Sequence, residues 1–337
     1  MNRPRDKIMK SAFGDSYFAQ KREGSDWLRQ ARSFHDRLQP LLAALNLDVA
    51  RQINQVVATK RSKVHSFLRS TSQLGKGDKG GIRTVVEVSD YLPPPVLAIL
   101  QDLPEALIWV LLHRYQLADT ERGLASIIDD YNVIAGSGRF ALHSETVLEG
   151  LIGAQSFVRA LTHTAVERVE NIVQDIIRLP GDILGAYFFN EGRIELYWVP
   201  IWLVAGHLKV APEDLATVVL VHEMGHLYSH KGHDAANGVW ETRDFSRCDM
   251  HIVEGVAQFY TETFCMQLAK DGDDRCLEAF RRLKDKQPSC YSAHDNWAVG
   301  HEMRAEIIRQ AIVAARSLSI LDLVEFEKRI QMYRDSV

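Results

Sequence analysis

Pro212-Glu213-Asp214-Leu215-Ala216-Thr217-Val218-Val219-Leu220-Val221-His222-Glu223-Met224-Gly225-His226 decides how this chain is read. Pro near a first helical position, with acids in the first turn, marks a helix start. Leu215, Val218, Val219 and Leu220 follow at core spacing. A helix turns once per 3.6 residues, so His222 and His226 fall on one face and can aim an imidazole nitrogen each at a single metal ion. Glu223, beside the first histidine, is placed to take a proton from a metal-activated water.

The motif is HExxH, the arrangement of zinc-dependent hydrolases. With 13 histidines in 337 residues, a random HExxH arises in roughly a few chains per hundred of this composition. The helical setting is what raises it above chance, because two histidines and a glutamate buried in a core without a role would cost desolvation for nothing.

A catalytic zinc takes three protein ligands and leaves one position open. The pattern HExxHxxGxxH fails here: Ser229 stands at its glycine and Gly232 at its last histidine, while His230 and His233 are out of register. Asp234, Asp244 and Asp249 are candidates without a pattern. Glu254 is another, in the second helix-like run Cys248-Asp249-Met250-His251-Ile252-Val253-Glu254-Gly255-Val256-Ala257-Gln258-Phe259-Tyr260, with Glu262 two turns further along the same face as the fallback. His251, three residues before Glu254, is either a donor to a ligand or a surface residue.

His222, Glu223, His226 and the Glu254-Gly255-Val256-Ala257 turn resemble the gluzincin clan of metallopeptidases, over roughly residues 180–305. The resemblance implies zinc held by His222, His226 and Glu254, peptide-bond hydrolysis, and Glu223 as general base. It also implies that Gly255 and Ala257 let the two helices approach closely. In several families of the clan a tyrosine shortly before a Gly-bearing helix stabilises the oxyanion, and Tyr291 is the nearest match. His301 is the second candidate for that role. The two flank a helix expected to begin near Asn296 and to run through Ile307, Ile308, Ile312 and Val313.

Gly185-Ala186-Tyr187-Phe188-Phe189 and Arg193-Ile194-Glu195-Leu196-Tyr197-Trp198-Val199 are β-prone and separated by Asn190-Glu191-Gly192, which predicts a hairpin before the HExxH helix. In the clan an edge strand of such a sheet holds the substrate backbone.

The rest of the chain bounds these expectations. A composition of 46% hydrophobic and 25% charged residues is ordinary for a globular protein. No signal-peptide pattern follows Met1-Asn2-Arg3-Pro4-Arg5-Asp6-Lys7 and no run is long enough to span a membrane. Cys248, Cys265, Cys276 and Cys290 show no CxxC spacing, so reduced thiols in a cytoplasmic protein are expected. Up to Pro95 there are 17 Lys and Arg against 9 Asp and Glu; beyond it, 23 against 35. Within the basic part, Arg51, Lys60, Arg61, Lys63 and Arg69 interleave with Ile53, Val56, Val57, Val64 and Phe67 as an amphipathic helix. Its basic face suits solvent, nucleic acid, an acidic partner or the acidic half of the chain.

Thr71 to Gly81 reads as a flexible loop without phosphate-loop spacing, and Pro93-Pro94-Pro95 as a rigid break. Helical patterns follow from Val96 and, after Gly136-Ser137-Gly138, from Glu145 through Leu179.

The expectation is therefore a mainly helical α+β protein. Residues 1–150 form an N-terminal helical region, basic to about residue 95, and residues 151–337 a zincin-like domain with a small sheet on the HExxH helix. The expected activity is a zinc-dependent peptidase acting on a peptide or protein, without a membrane. The competing reading is a regulatory or binding protein that keeps the fold and uses its basic region on nucleic acid or a protein partner.

Overall fold

The computed structural model describes residues 48–74, 84–89, 92–101, 103–136, 144–179, 183–236, 238–319 and 322–336, with isolated positions elsewhere. The opening residues 1–7, most of the glycine-rich loop (75–81) and the turn after Gly136 lie outside the described residues.

In chain order the elements are α1 (Asp48–Ser72), β1 (Val85–Ser89), α2 (Pro94–Leu100), α3 (Glu105–Gly136), α4 (Ser144–Ile177), β2 (Gly185–Phe188), β3 (Arg193–Tyr197), α5 (Trp198–Leu208), α6 (Pro212–Lys231), α7 (Thr242–Phe245), α8 (Met250–Lys270), α9 (Arg275–Lys284), a 3-10 helix (Ser289–Asn296), α10 (Arg304–Leu318) and α11 (Leu323–Ser336). Among the described residues the architecture is mainly helical with one three-stranded sheet, order β1-β3-β2.

The expected hairpin is present: β2 and β3 pair antiparallel, Phe188 opposite Arg193. The third strand was not legible in the sequence. β1 lies parallel to β3, with Val86 opposite Ile194 and Val88 opposite Leu196. A parallel neighbour needs a long crossover, here the whole of α2 to α4.

α6 is buried on every side from Asp214 to His230, which is how a helix apolar all round its axis is accommodated. It packs against α1, α5, α8, α9 and the β2–β3 hairpin. Its C-terminal carbonyls are held by Arg316 of α10, whose guanidinium donates to the C=O of Tyr228 (3.1 Å), Ser229 (3.1 Å) and Gly232 (2.6 Å).

Residues 48–100 do not stand apart from the second half. Ile53, Val64 and Leu68 of α1 share one continuous core with Leu215 and Leu220 of α6 and Ile312 of α10, so the boundary at residue 150 does not separate two cores. The basic face of α1 meets the acidic half in part: Lys63 lies 3.8 Å from Asp271, and Arg61 donates to the Thr84 carbonyl. α3 and α4 form a long antiparallel pair whose base, including Leu111 and Val173, enters the same core.

The triple proline is a helix start rather than a break. Pro93 is the N-cap in extended backbone, and Pro94 and Pro95 occupy the first turn, where no N–H is needed. The helix expected near Asn296 begins instead at Arg304, because residues 289–296 take the tighter 3-10 form and the turn that follows carries Ala298 and Gly300 at positive φ. Among the described residues no helix is long and apolar enough to cross a membrane.

Candidate metal centre

α6 and α8 cross at close range, which brings Glu254 over the two histidines. A Cβ on Gly225 would stand 3.2 Å from the Cα of Ala257, so the crossing depends on Gly225 and Ala257. Gly255, expected at this crossing, serves another contact. Its missing side chain makes room for the Trp297 indole and Ala293, 2.5 and 3.2 Å from where a Cβ would be. Asp249 caps α8, accepting the His251 N–H at 2.8 Å, and fixes where the helix begins, five residues before Glu254.

The three donor atoms converge. His222 Nε2 lies 3.1 Å from Glu254 Oε2 and 3.0 Å from His226 Nε2, and His226 Nε2 is 3.6 Å from Glu254 Oε2. Tetrahedral zinc with bonds of 2.0–2.1 Å has ligand atoms separated by about 3.4 Å. A circle through these three atoms has a radius of about 1.9 Å, so one ion slightly off their plane reaches all three at normal bond lengths. Two imidazoles and a carboxylate also match zinc chemically.

The electrostatics suit ligation. Burial lowers the pKa of His222, with His226 beside it adding to the effect, so the imidazole stays neutral and keeps its lone pair. Burial pushes the Glu254 carboxyl up, but the imidazoles of His226 and His222 outweigh it and hold the carboxyl ionised.

Glu223 is 2% exposed and lies against β2: a Cβ on Gly185 would come within 3.0 Å of its Oε1 and Cγ. Gly185 therefore makes the space for the carboxylate. The Leu184 carbonyl accepts the Tyr197 N–H at 2.9 Å. By antiparallel alternation, the peptide groups of Gly185 and Tyr187 face away from β3, toward the outer edge of the sheet, where no further strand pairs among the described residues.

Tyr291, on the 3-10 helix, is buried with its ring centroid 5.8 Å from that of His222. His301 has no hydrogen bond to any of the three ligands; it sits in the turn before α10, where its Nδ1 accepts the Met303 N–H at 3.1 Å. The other ligand candidates are engaged elsewhere. Asp234 accepts N–H groups of Ala236 and Gly238, Asp244 accepts from Ser319, Asp249 is the cap and pairs with His251, and Glu262 lies beside His294.

Gly185, Gly225 and Arg316 also shape the site or its frame, in roles that the linear sequence does not show. Gly225 lies inside the motif itself and is the one that helix packing rules could have flagged. No protein-family model, curated protein or solved structure matches the chain. The site rests on its own residues.

Proposed function

We propose that the protein is a zinc-dependent peptidase of gluzincin type, acting on peptide bonds. The observation that carries this reading is the convergence of His222 Nε2, His226 Nε2 and Glu254 Oε2 within 3.0–3.6 Å of one another, next to a buried glutamate. A zinc ion held by these residues would supply Lewis acidity toward a carbonyl and lower the pKa of water. Glu223 takes the proton from the attacking water and passes it to the departing amine. Tyr291 faces the developing oxyanion. The outward peptide groups of Gly185 and Tyr187 offer an extended substrate a strand to pair with, alongside Glu223.

The regulatory or binding reading draws less support, because part of the basic face of α1 is already spent on Asp271 and the Thr84 carbonyl. The test is Glu223→Gln. It is expected to keep one zinc per chain and to lose at least about a thousandfold in peptide hydrolysis. Full activity in this variant would end the proposal.

A further inference from the structure

His294, three residues after Tyr291 on the 3-10 helix, is completely buried, yet neither ring nitrogen makes a hydrogen bond among the described residues. Its Nε2 faces two carboxylate oxygens, Glu262 Oε2 at 3.4 Å and Asp295 Oδ1 at 3.5 Å. A charge-assisted hydrogen bond from an imidazolium would close to about 2.7–2.9 Å. Separations near 3.4 Å are instead those of neighbouring ligands around a zinc-sized ion. The donors lie within 4.8 Å of one another, as at the first centre.

We propose that Glu262, His294 and Asp295 form a second binding site for a divalent cation of the zinc and cobalt class, distinct from the His222, His226 and Glu254 centre. One imidazole with two carboxylates selects borderline metals over calcium, which prefers six or more oxygens. The site is the weaker of the two. Lys284 Nζ stands 2.8 Å from Asp295 Oδ1 and Arg304 lies 3.7 Å from Glu262 Oε2, so two fixed cations compete with the metal. Asp295 is also partly open to solvent, which gives the ion an entry path and makes it exchangeable. Glu254 and Glu262 are eight residues apart on α8, a rise of about 12 Å, so the two sites do not share a ligand.

The experiment is a cobalt titration of the metal-stripped full chain, read by visible absorption and by equilibrium dialysis. Two classes of site are expected. Asp295→Asn should remove the weaker class and leave the tighter one, whereas Glu254→Gln should weaken the tighter class and leave the weaker. Lys284→Met, which removes a competing charge without touching a ligand, should tighten the weaker class about tenfold. That variant also guards against a folding defect in Asp295→Asn, since a gain of affinity cannot come from misfolding. One class of site in the unaltered chain, or two classes of which neither responds to Asp295→Asn or Lys284→Met, overturns the proposal. Failure of the hydrolysis test leaves this result unaffected, because the titration reads metal alone.

Discussion

Gly185→Ala is the most searching single change, because it adds one carbon next to the proposed base and touches no metal ligand. The new Cβ would stand 2.7 Å from Val219 Cγ1 and 3.0 Å from both Cγ and Oε1 of Glu223. Carbon contacts are comfortable at 3.5–4.0 Å, so the shortfall is about 1 Å. Val219 and Glu223 are 4% and 2% exposed, so neither can swing out into solvent to relieve the contact. β2 must therefore slide away from α6, or the Glu223 carboxylate must rotate. Either movement misplaces the base by about 1 Å, which costs roughly a hundredfold in rate, or about 2.7 kcal/mol of barrier. Overpacking adds about 1–3 kcal/mol of destabilisation. The assay pairs zinc content with kcat and KM on a fluorogenic peptide and with urea unfolding. Zinc at one per chain, kcat down about a hundredfold and a lowered unfolding midpoint are expected. Gly153→Ala, exposed on α4 with nothing within 4 Å of the added carbon, is the control and should leave activity unchanged. If Gly185→Ala at full zinc occupancy retains activity within about threefold of the parent, the contact between β2 and Glu223 does not position the base and the reasoning fails.

Glu254→Ala should reduce zinc after dialysis from one per chain to a small fraction while the helical circular dichroism persists; retained zinc would assign the third ligand elsewhere. Arg316→Met removes the guanidinium donors at the buried end of α6; the Tyr228 carbonyl keeps the Gly232 N–H, but those of Ser229 and Gly232 are left without a donor, and with about 1–3 kcal/mol per orphaned group it should lower stability by about 2 kcal/mol or more in urea unfolding. Burial, with Lys231 and Arg316 nearby, lowers the pKa of His230 from 6.5 to about 3. The folded protein thus keeps this imidazole neutral while the unfolded chain protonates it. Its contribution is complete above pH 6.5 and is lost as pH falls toward about 3, by at most about 1.4 kcal/mol per pH unit. His230→Gln should flatten that part of the stability profile, and an unchanged profile would show that His230 is protonated in the fold.

Much of the centre was legible because it is local. The i, i+4 spacing that puts His222 and His226 on one face is set by helix geometry, and Pro212 with its following acids fixes where that helix starts. The hairpin announces itself by two β-prone runs around Asn190-Glu191-Gly192. Prolines at 93–95 mislead for an equally local reason: the same ring that breaks a helix interior is welcome in its first turn, and the outcome depends on whether residues 96–100 continue as helix. Gly255 packs on Trp297 and Ala293 rather than on α6, since a small residue in a sequence shows that something approaches without saying what.

The sequence by itself determined the helix carrying the histidines, the pairing of β2 with β3 and the chemistry of the donors, since all three depend on residues within a few turns of each other. The resemblance pointed to Glu254, but tertiary structure alone brings its carboxylate, rather than that of Asp234, Asp244, Asp249 or Glu262, to the two histidines. It also decided that β1 joins the sheet from more than a hundred residues away, that Gly185 houses Glu223, and that Arg316 closes the end of α6. These contacts are fixed by how buried surfaces fit across long stretches of chain, and linear spacing carries no record of that fit.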